Sequence, residues 1–576
     1  MKFFFLFWTT TVGLMCQQAC SKELITPRGS IENTGLNISV AKKNVHAVVD
    51  SSPVECAIPT ATNAPADVIE GKSADETGKI VSPNDPAFAI ASGPFKPDWK
   101  SLQQYNCPDW FRDAKFGIFM HWGLPAVVDE NRPFFTGHYA RGMYYQHGKG
   151  TASFCKDIYD WHVQHYGHPS QFGYKDFIPL WKAENWDPDA LVAFYKSIGA
   201  RYIVPVAVHH DNFDIYDSSY QRWNVAQMGP KRDILGDWKR AAEKQGLHFG
   251  ASTHLDRAPS FLSGSWGSDW EGPLKGVPYD GSDPKYQDFY LKGVPLEQFQ
   301  KDWFQRTKEI IDKYQPELLY FDGSLPFGDY GLRLAAHLYN TNASLHQGQC
   351  EAVLNLKRGP SPKGFVFDIE RGQSDGLRDD PWQTDTTLIG GWFYHKADVE
   401  LSAPVLVANL VDIVSKNGNL LLNVSLKPDG TLPENQKAVL EQLGSWLKVN
   451  GDAIYGTRPW KIFGEGPTQV KAGSFNEPKS AYTPEDFRFT TKGGNLYAIA
   501  LGLPRNHHLK IHSLAANSPY FKGEITSVRL LGSTAKLKWT RDPGGLSIVL
   551  PSTNPCDYAI TLEISGTHET NNRGNN

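Results

Sequence analysis

Two carboxylates stand where they could cleave a glycosidic bond. Asp322 closes the apolar run Leu318-Leu319-Tyr320-Phe321 and precedes Gly323. Glu370 follows Phe365-Val366-Phe367-Asp368-Ile369. One carboxylate can attack an anomeric carbon as an oxocarbenium-like state develops, while a second, protonated carboxyl gives its proton to the departing oxygen. The second group stays protonated near neutral pH only if burial or a nearby anion raises its pKa, and Asp322 would be that anion. Each residue also has a plainer reading. An Asp before Gly commonly makes a turn, and Glu370 can form an ion pair with Arg371. The separation that divides retaining from inverting pairs is not readable from spacing alone.

Four histidines also end apolar runs: His121, His209, His210 and His254. Hydrogen bonding to sugar hydroxyls is the functional role that suits them, and His121 alone would serve equally as a core histidine. His209-His210-Asp211 invites a metal reading. Adjacent strand residues point to opposite faces, however, and no further ligand follows at metal spacing. No metal and no cofactor is therefore expected. His162, His165 and His168 lie in a polar stretch and read as a surface set.

The elements that must hold these residues form an alternation. Apolar runs at 116–121, 202–208, 248–253, 318–321, 352–356, 365–369 and 419–424 read as strands. Between them lie helical patterns. Asp187-Pro188 opens one with an N-cap and a first-position proline; Leu191, Phe194, Tyr195 and Ile198 then fall on one face. Ile234 to Ala242 and Leu296 to Tyr314 repeat the pattern. Continuous apolar strands between amphipathic helices imply a parallel sheet covered by helices, and about eight units favour a (β/α)8 barrel. No GxGxxG follows a first strand, which disfavours a dinucleotide-binding sheet. In a barrel, strand C-termini form the active face, and all of the candidates above lie there.

The rest of the chain divides as follows. Residues 1–20 carry a charged start and an apolar stretch too short to span a bilayer, as in a signal peptide, so export to a periplasm, cell surface or exterior is expected. Cys16 and Cys20 are candidates for a lipid anchor. Residues 21–94 read as a low-order linker, 95–456 as the barrel, 457–565 as an antiparallel β-sandwich, and 566–576 as a disordered tail. The fold class is thus α/β, a (β/α)8-type barrel followed by a C-terminal β-sandwich. Seven cysteines are scattered without a CxxC pair in the mature part, so a zinc site on cysteine is not expected, and an oxidising compartment leaves room for one or two disulfides with no pairing assigned. A net charge of -4 argues against nucleic acid as a partner. A glycoside is the expected partner, with no transmembrane span.

Several stretches, in order, resemble the α-L-fucosidases of glycoside hydrolase family 29. They are Trp110 through Phe116-Gly117-Ile118-Phe119-Met120-His121-Trp122-Gly123, then Tyr202 through His209-His210-Asp211-Asn212-Phe213, Pro230-Lys231-Arg232-Asp233, Tyr320-Phe321-Asp322-Gly323 and Ser415-Lys416-Asn417-Gly418-Asn419-Leu420-Leu421-Leu422-Asn423. The resemblance covers about residues 98–458. It implies retaining exo-α-L-glycosidase chemistry without metal, Asp322 as nucleophile, and His121, His209 and His210 on the sugar hydroxyls. Glu370 resembles the acid/base of many members. Other members use a Glu after a Trp in a later loop, where this chain has Trp382-Gln383. Trp392 resembles an aromatic wall of the pocket. One departure stands out. Where fucosidases usually carry Glu-Trp before Tyr-Ala-Arg, this chain has Gly137-His138. That change leaves α-L-glucosides and α-L-galactosides open as substrates beside α-L-fucosides. A noncatalytic carbohydrate-binding surface protein is the more distant alternative.

Overall fold

A computed structural model describes residue 78 and residues 85–134, 136–361, 363–396, 400–478 and 482–567. The segments read as a signal peptide and as most of the linker lie outside the described residues, as does the tail beyond residue 567.

Eight parallel strands close into a barrel in chain order. They are β1 (Phe116–Met120), β2 (Tyr202–Val208), β3 (His248–Thr253), β4 (Leu318–Phe321), β5 (Val353–Leu356), β6 (Val366–Asp368), β7 (Trp382–Thr387) and β8 (Gly418–Asn423). Closure is visible at β1, where Ile118 pairs with Ile203 on one side and Leu422 on the other. Every residue of β1 is buried, which is why the run is apolar without alternation. Gly117 is required there. A Cβ on it would meet the ring of Tyr202 at 2.4 Å.

Among the described residues, the longest helices of the barrel are α1 (Pro188–Ser197), α2 (Ile234–Gln245), α3 (Leu296–Tyr314), α4 (Asp329–Leu345), α5 (Ala403–Ser415) and α6 (Glu434–Asn450). Local chemistry sets their ends. Asp187 caps α1 by accepting from Ala190 N, and Asp233 caps α2 by accepting from Gly236 N. Gly246 ends α2 in the left-handed region.

The structure departs from the expectations in the barrel's second half. No helix follows β5 or β6 among the described residues, so the barrel has fewer than eight complete units. And β7 is a strand, although Trp382-Gln383-Thr384-Asp385 reads as a loop. Its six residues are all buried, but they face a polar interior rather than an apolar one. Gln383 Nε2 donates to Asp368 Oδ2 at 2.8 Å, and Tyr202 OH donates to Gln383 Oε1 at 3.1 Å. Gln383 is thus part of the barrel interior.

Order also begins earlier than residue 95. Phe88 packs edge-on against Phe304 and Tyr330, and Asn340 holds the backbone of Ala91 and Phe95. The last ten residues of the expected linker are therefore part of the barrel's coat.

After α6 the chain forms β9 (Arg458–Glu465), β10 (Phe487–Lys492), β11 (Asn495–Ala500), β12 (His508–Ile511), β13 (Ile525–Leu530), β14 (Lys538–Asp542), β15 (Gly545–Val549) and β16 (Ile560–Gly566). A five-stranded sheet ordered β13-β16-β11-β10-β9 and a three-stranded sheet ordered β12-β15-β14 share a core built on Trp460, Phe489, Leu546 and Ile548. All pairings are antiparallel, as the alternating sequence requires. Among the described cysteines, Cys107, Cys350 and Cys556 are free thiols.

Candidate active site

The candidates converge at the C-terminal mouth of the barrel. Asp322 follows β4, Lys357 follows β5 and Glu370 stands two residues past β6. Backbone pairing runs on past the strand ends: Lys357 N donates to Gly323 O at 2.7 Å, and Arg371 N donates to Asp385 O at 2.7 Å. These bonds tie the Asp322 turn to the end of β5 and the Glu370 turn to β7.

The ammonium of Lys357 bridges the pair. Nζ is 2.6 Å from Asp322 Oδ1 and 2.6 Å from Glu370 Oε2, with Asp385 Oδ2 at 3.6 Å. The two bridged oxygens are therefore at most twice 2.6 Å apart. Carboxyl groups of retaining glycosidases stand roughly 5–5.5 Å apart and those of inverting ones roughly 6.5–9.5 Å.

Electrostatics separate the two carboxyls. Burial works against ionisation of Asp322, but Lys357, His254 and Arg257 more than offset it and hold the group well below the usual carboxylate range. Arg257 Nη1 is 3.5 Å from Asp322 Oδ2, and its Nη2 donates to the Asp322 carbonyl at 2.5 Å. Burial pushes Glu370 up to about 7; Asp385 and Asp322 add to the rise, and Lys357 opposes it. Beneath them, burial and Asp385 drive Asp368 well above its ordinary range, and Tyr320 OH donates to Asp385 Oδ2 at 3.0 Å.

The histidines line the same mouth. The chain turns sharply after β2, with Asn212 at φ 62°, so His209 and His210 both face the pocket with rings 4.4 Å apart. His254 lies 5.1 Å from His209 and 5.3 Å from His121, centroid to centroid. Burial lowers the pKa of His121, His209 and His210 well below the ordinary value, and that of His138 to about 4. The neutral rings have assigned tautomers. His121 Nδ1 donates to Asn423 Oδ1 at 2.8 Å, leaving Nε2 as an acceptor, while His210 Nδ1 donates to the His254 carbonyl at 2.8 Å. His209 Nδ1 is buried with no hydrogen-bond partner among the described residues. Trp392 lies 4.9 Å from the His121 ring.

Sequence reasoning missed Lys357, Arg257 and two rings. Phe393 packs against His209 at 5.0 Å, and Phe261 against His210 at 4.9 Å and His138 at 5.2 Å. It also misjudged His162 and His168, which are buried. His162 joins Tyr139 OH at 2.7 Å to Phe172 O at 2.9 Å, on the inward face of a helix spanning Ile158–Tyr166. Two sets bring donor atoms within 4.8 Å of one another and so have metal reach: His121, His209 and His254, and His210, His254 and Asp322. In the second set Asp322 already carries Lys357.

A family model described as alpha-L-fucosidase matches residues 85–452, and one described as alpha-L-fucosidase C-terminal domain matches 481–565. The chain belongs to the α-L-fucosidase family. The family is one of glycoside hydrolases. Tissue alpha-L-fucosidase of Bos taurus is 27% identical over 506 residues, covering 84% of this chain and 93% of that protein. Plasma alpha-L-fucosidase of Homo sapiens is 28% identical, covering 82% and 92%. The crystal structure of Thermotoga maritima alpha-fucosidase superposes with a TM-score of 0.62 at 28% identity, covering 82% of this chain and all of that one. Its barrel and sandwich share the α-L-fucosidase architecture described above.

Proposed function

We propose that this α-L-fucosidase family member hydrolyses terminal α-L-fucosides by double displacement, with Asp322 as nucleophile and Glu370 as acid/base. The observation that carries this reading is the Lys357 bridge: one oxygen of each carboxyl lies 2.6 Å from a shared ammonium, with Asp322 held ionised and Glu370 raised to about 7. Glu370 gives its proton to the glycosidic oxygen as the bond from C1 breaks, and an Asp322 oxygen bonds to C1 from the opposite face. Glu370, now ionised, takes a proton from water, which attacks C1 and frees Asp322. The neutral acceptor nitrogens of His121 and its neighbours suit sugar hydroxyls, and Trp392 and Phe393 offer an apolar wall for a methyl group. His138 and His254 complete the rim.

The test is hydrolysis of aryl α-L-fucosides followed by proton NMR. The first-formed fucose is expected as the α-anomer, and Asp322→Ala is expected to lower turnover by about 10³-fold or more. Release of the β-anomer, or unchanged turnover in the variant, contradicts the reading. Absence of any glycoside hydrolysis would favour the noncatalytic carbohydrate-binding alternative. Activity should survive chelation, and its loss would point to the histidine sets as a metal centre.

Gly137 supports a second reading. A Cβ there would meet only a Phe393 ring carbon, at 3.9 Å, so the space is open where the resemblance leads one to expect a Glu. That space suits a sugar with an additional hydroxyl, an α-L-galactoside or α-L-glucoside. Comparing kcat/KM on the three aryl glycosides decides between them. Export, directed by residues 1–20, belongs to the same proposal; no described helix is long and apolar enough to cross a membrane.

A further inference from the structure

The turn that carries Glu370 is not held by the barrel alone. It lies in the connection between β6 and β7, which contains no helix. A segment from the far side of β9, residues 472–478, runs alongside it. Gly473 N donates to Gln373 O at 2.9 Å, Phe475 N to Glu370 O at 2.9 Å, and Glu477 N to Arg371 O at 3.1 Å. The strands approach so closely that a Cβ on Gly372 would meet Gly473 O at 2.1 Å. Arg371 takes up a left-handed conformation at φ 45°, which an arginine adopts only when its surroundings hold it there.

Side chains lock this pairing. Glu477, with 8% of its side chain exposed, accepts from Arg371 Nε at 2.8 Å and from Nη2 at 2.7 Å. Arg371 Nη1 reaches Gly390 O at 3.1 Å, two residues before Trp392. One guanidinium thus ties together the turn bearing Glu370, the loop bearing Trp392 and the segment that leads into β10. Planar, forked donors of this kind fix geometry more firmly than a single flexible charge.

We propose that Glu477, which touches no substrate, is a positioning residue for the acid/base, acting through Arg371 to aim Glu370 at the glycosidic oxygen. The proposal rests on the reading of Glu370 as acid/base. A general acid works only within hydrogen-bond reach of the atom that it protonates, and misplacement by about 1 Å can cost about 10²-fold. The loss falls where protonation is needed. A phenolate of high pKa must receive a proton to leave, whereas a dinitrophenolate leaves unaided.

The experiment uses the full chain with Glu477→Ala and Glu477→Gln, assayed on phenyl and dinitrophenyl α-L-fucosides, with Glu370→Gln run in parallel. Glu477→Ala is expected to lose about tenfold or more in kcat/KM on the phenyl substrate and less than about twofold on the dinitrophenyl one. Glu477→Gln, which keeps an acceptor oxygen, should lose less. Equal losses on both substrates, or none on the phenyl one, overturn the proposal. If Glu370→Gln itself shows no such selectivity, the acid/base assignment fails instead. Should Glu477→Ala not fold, Arg371→Lys, which keeps the charge but not the fork, carries the same comparison.

Discussion

Glu370 and Asp322 are told apart by their surroundings, not by their chemistry. With Glu370 raised to about 7, kcat/KM should fall as pH rises through that value, because the proton donor is lost. The same shift has a stability consequence of definite sign. A carboxyl whose folded pKa is raised contributes stability below its unfolded value that is lost as pH rises through the folded one. Glu370→Gln should therefore flatten the decline in thermal midpoint between about pH 4.5 and pH 7. Lys357→Met removes the cation that favours ionisation of both carboxyls. Both carboxyl pKa values should rise, the alkaline limb should move up, and turnover should drop by about 10²-fold as Asp322 loses its counter-ion. An alkaline limb that moves down in Lys357→Met would contradict this account. Asp322, Glu370 and the histidines were legible because each ends an apolar run. Lys357 was not, since a lysine beside Arg358 after a short strand reads as solvated, and only barrel closure brings it between two carboxylates.

Strands explain which parts of the barrel were readable. β1 to β4 are buried on both faces by apolar neighbours, so composition reveals them. β7 is buried against Asp368, Tyr320 and its own Thr and Asp residues, so its sequence is polar and its strand character follows from pairing with β8. The tightest strand contact gives a stability test. Gly117→Ala forces a methyl against the Tyr202 ring, and overpacking of this kind costs about 1–3 kcal/mol. Urea denaturation should show the loss, and an unchanged midpoint would mean that Tyr202 moves freely.

The barrel and sandwich behave as one structure in their contacts. Asp412 on α5 is wholly buried and accepts from Arg488 on β10 at 2.5 Å and from Lys416 at 2.7 Å. Trp446 on α6 donates to Ala559 O at 2.8 Å. Removing one partner of a buried pair typically costs about 3–5 kcal/mol, so Arg488→Met should lower the unfolding midpoint of both domains together. Calorimetry that shows two independent transitions in the native chain would contradict this coupling. The sandwich's strands were legible from alternation, but this interface was not, because its residues lie more than seventy positions apart and carry charge. Likewise residues 85–94 looked like linker because their anchors, Phe304, Tyr330 and Asn340, come far later in the chain.

The double-displacement proposal requires that Asp322 form a covalent bond to the sugar. A fucosyl fluoride bearing a second fluorine beside the anomeric carbon slows release of such an intermediate more than its formation. Mass spectrometry of the denatured, digested protein after exposure to it should find one added fluorofucosyl group, on the peptide that contains Asp322. An unmodified peptide under conditions that inactivate the enzyme, or a label on another carboxylate, would contradict the account.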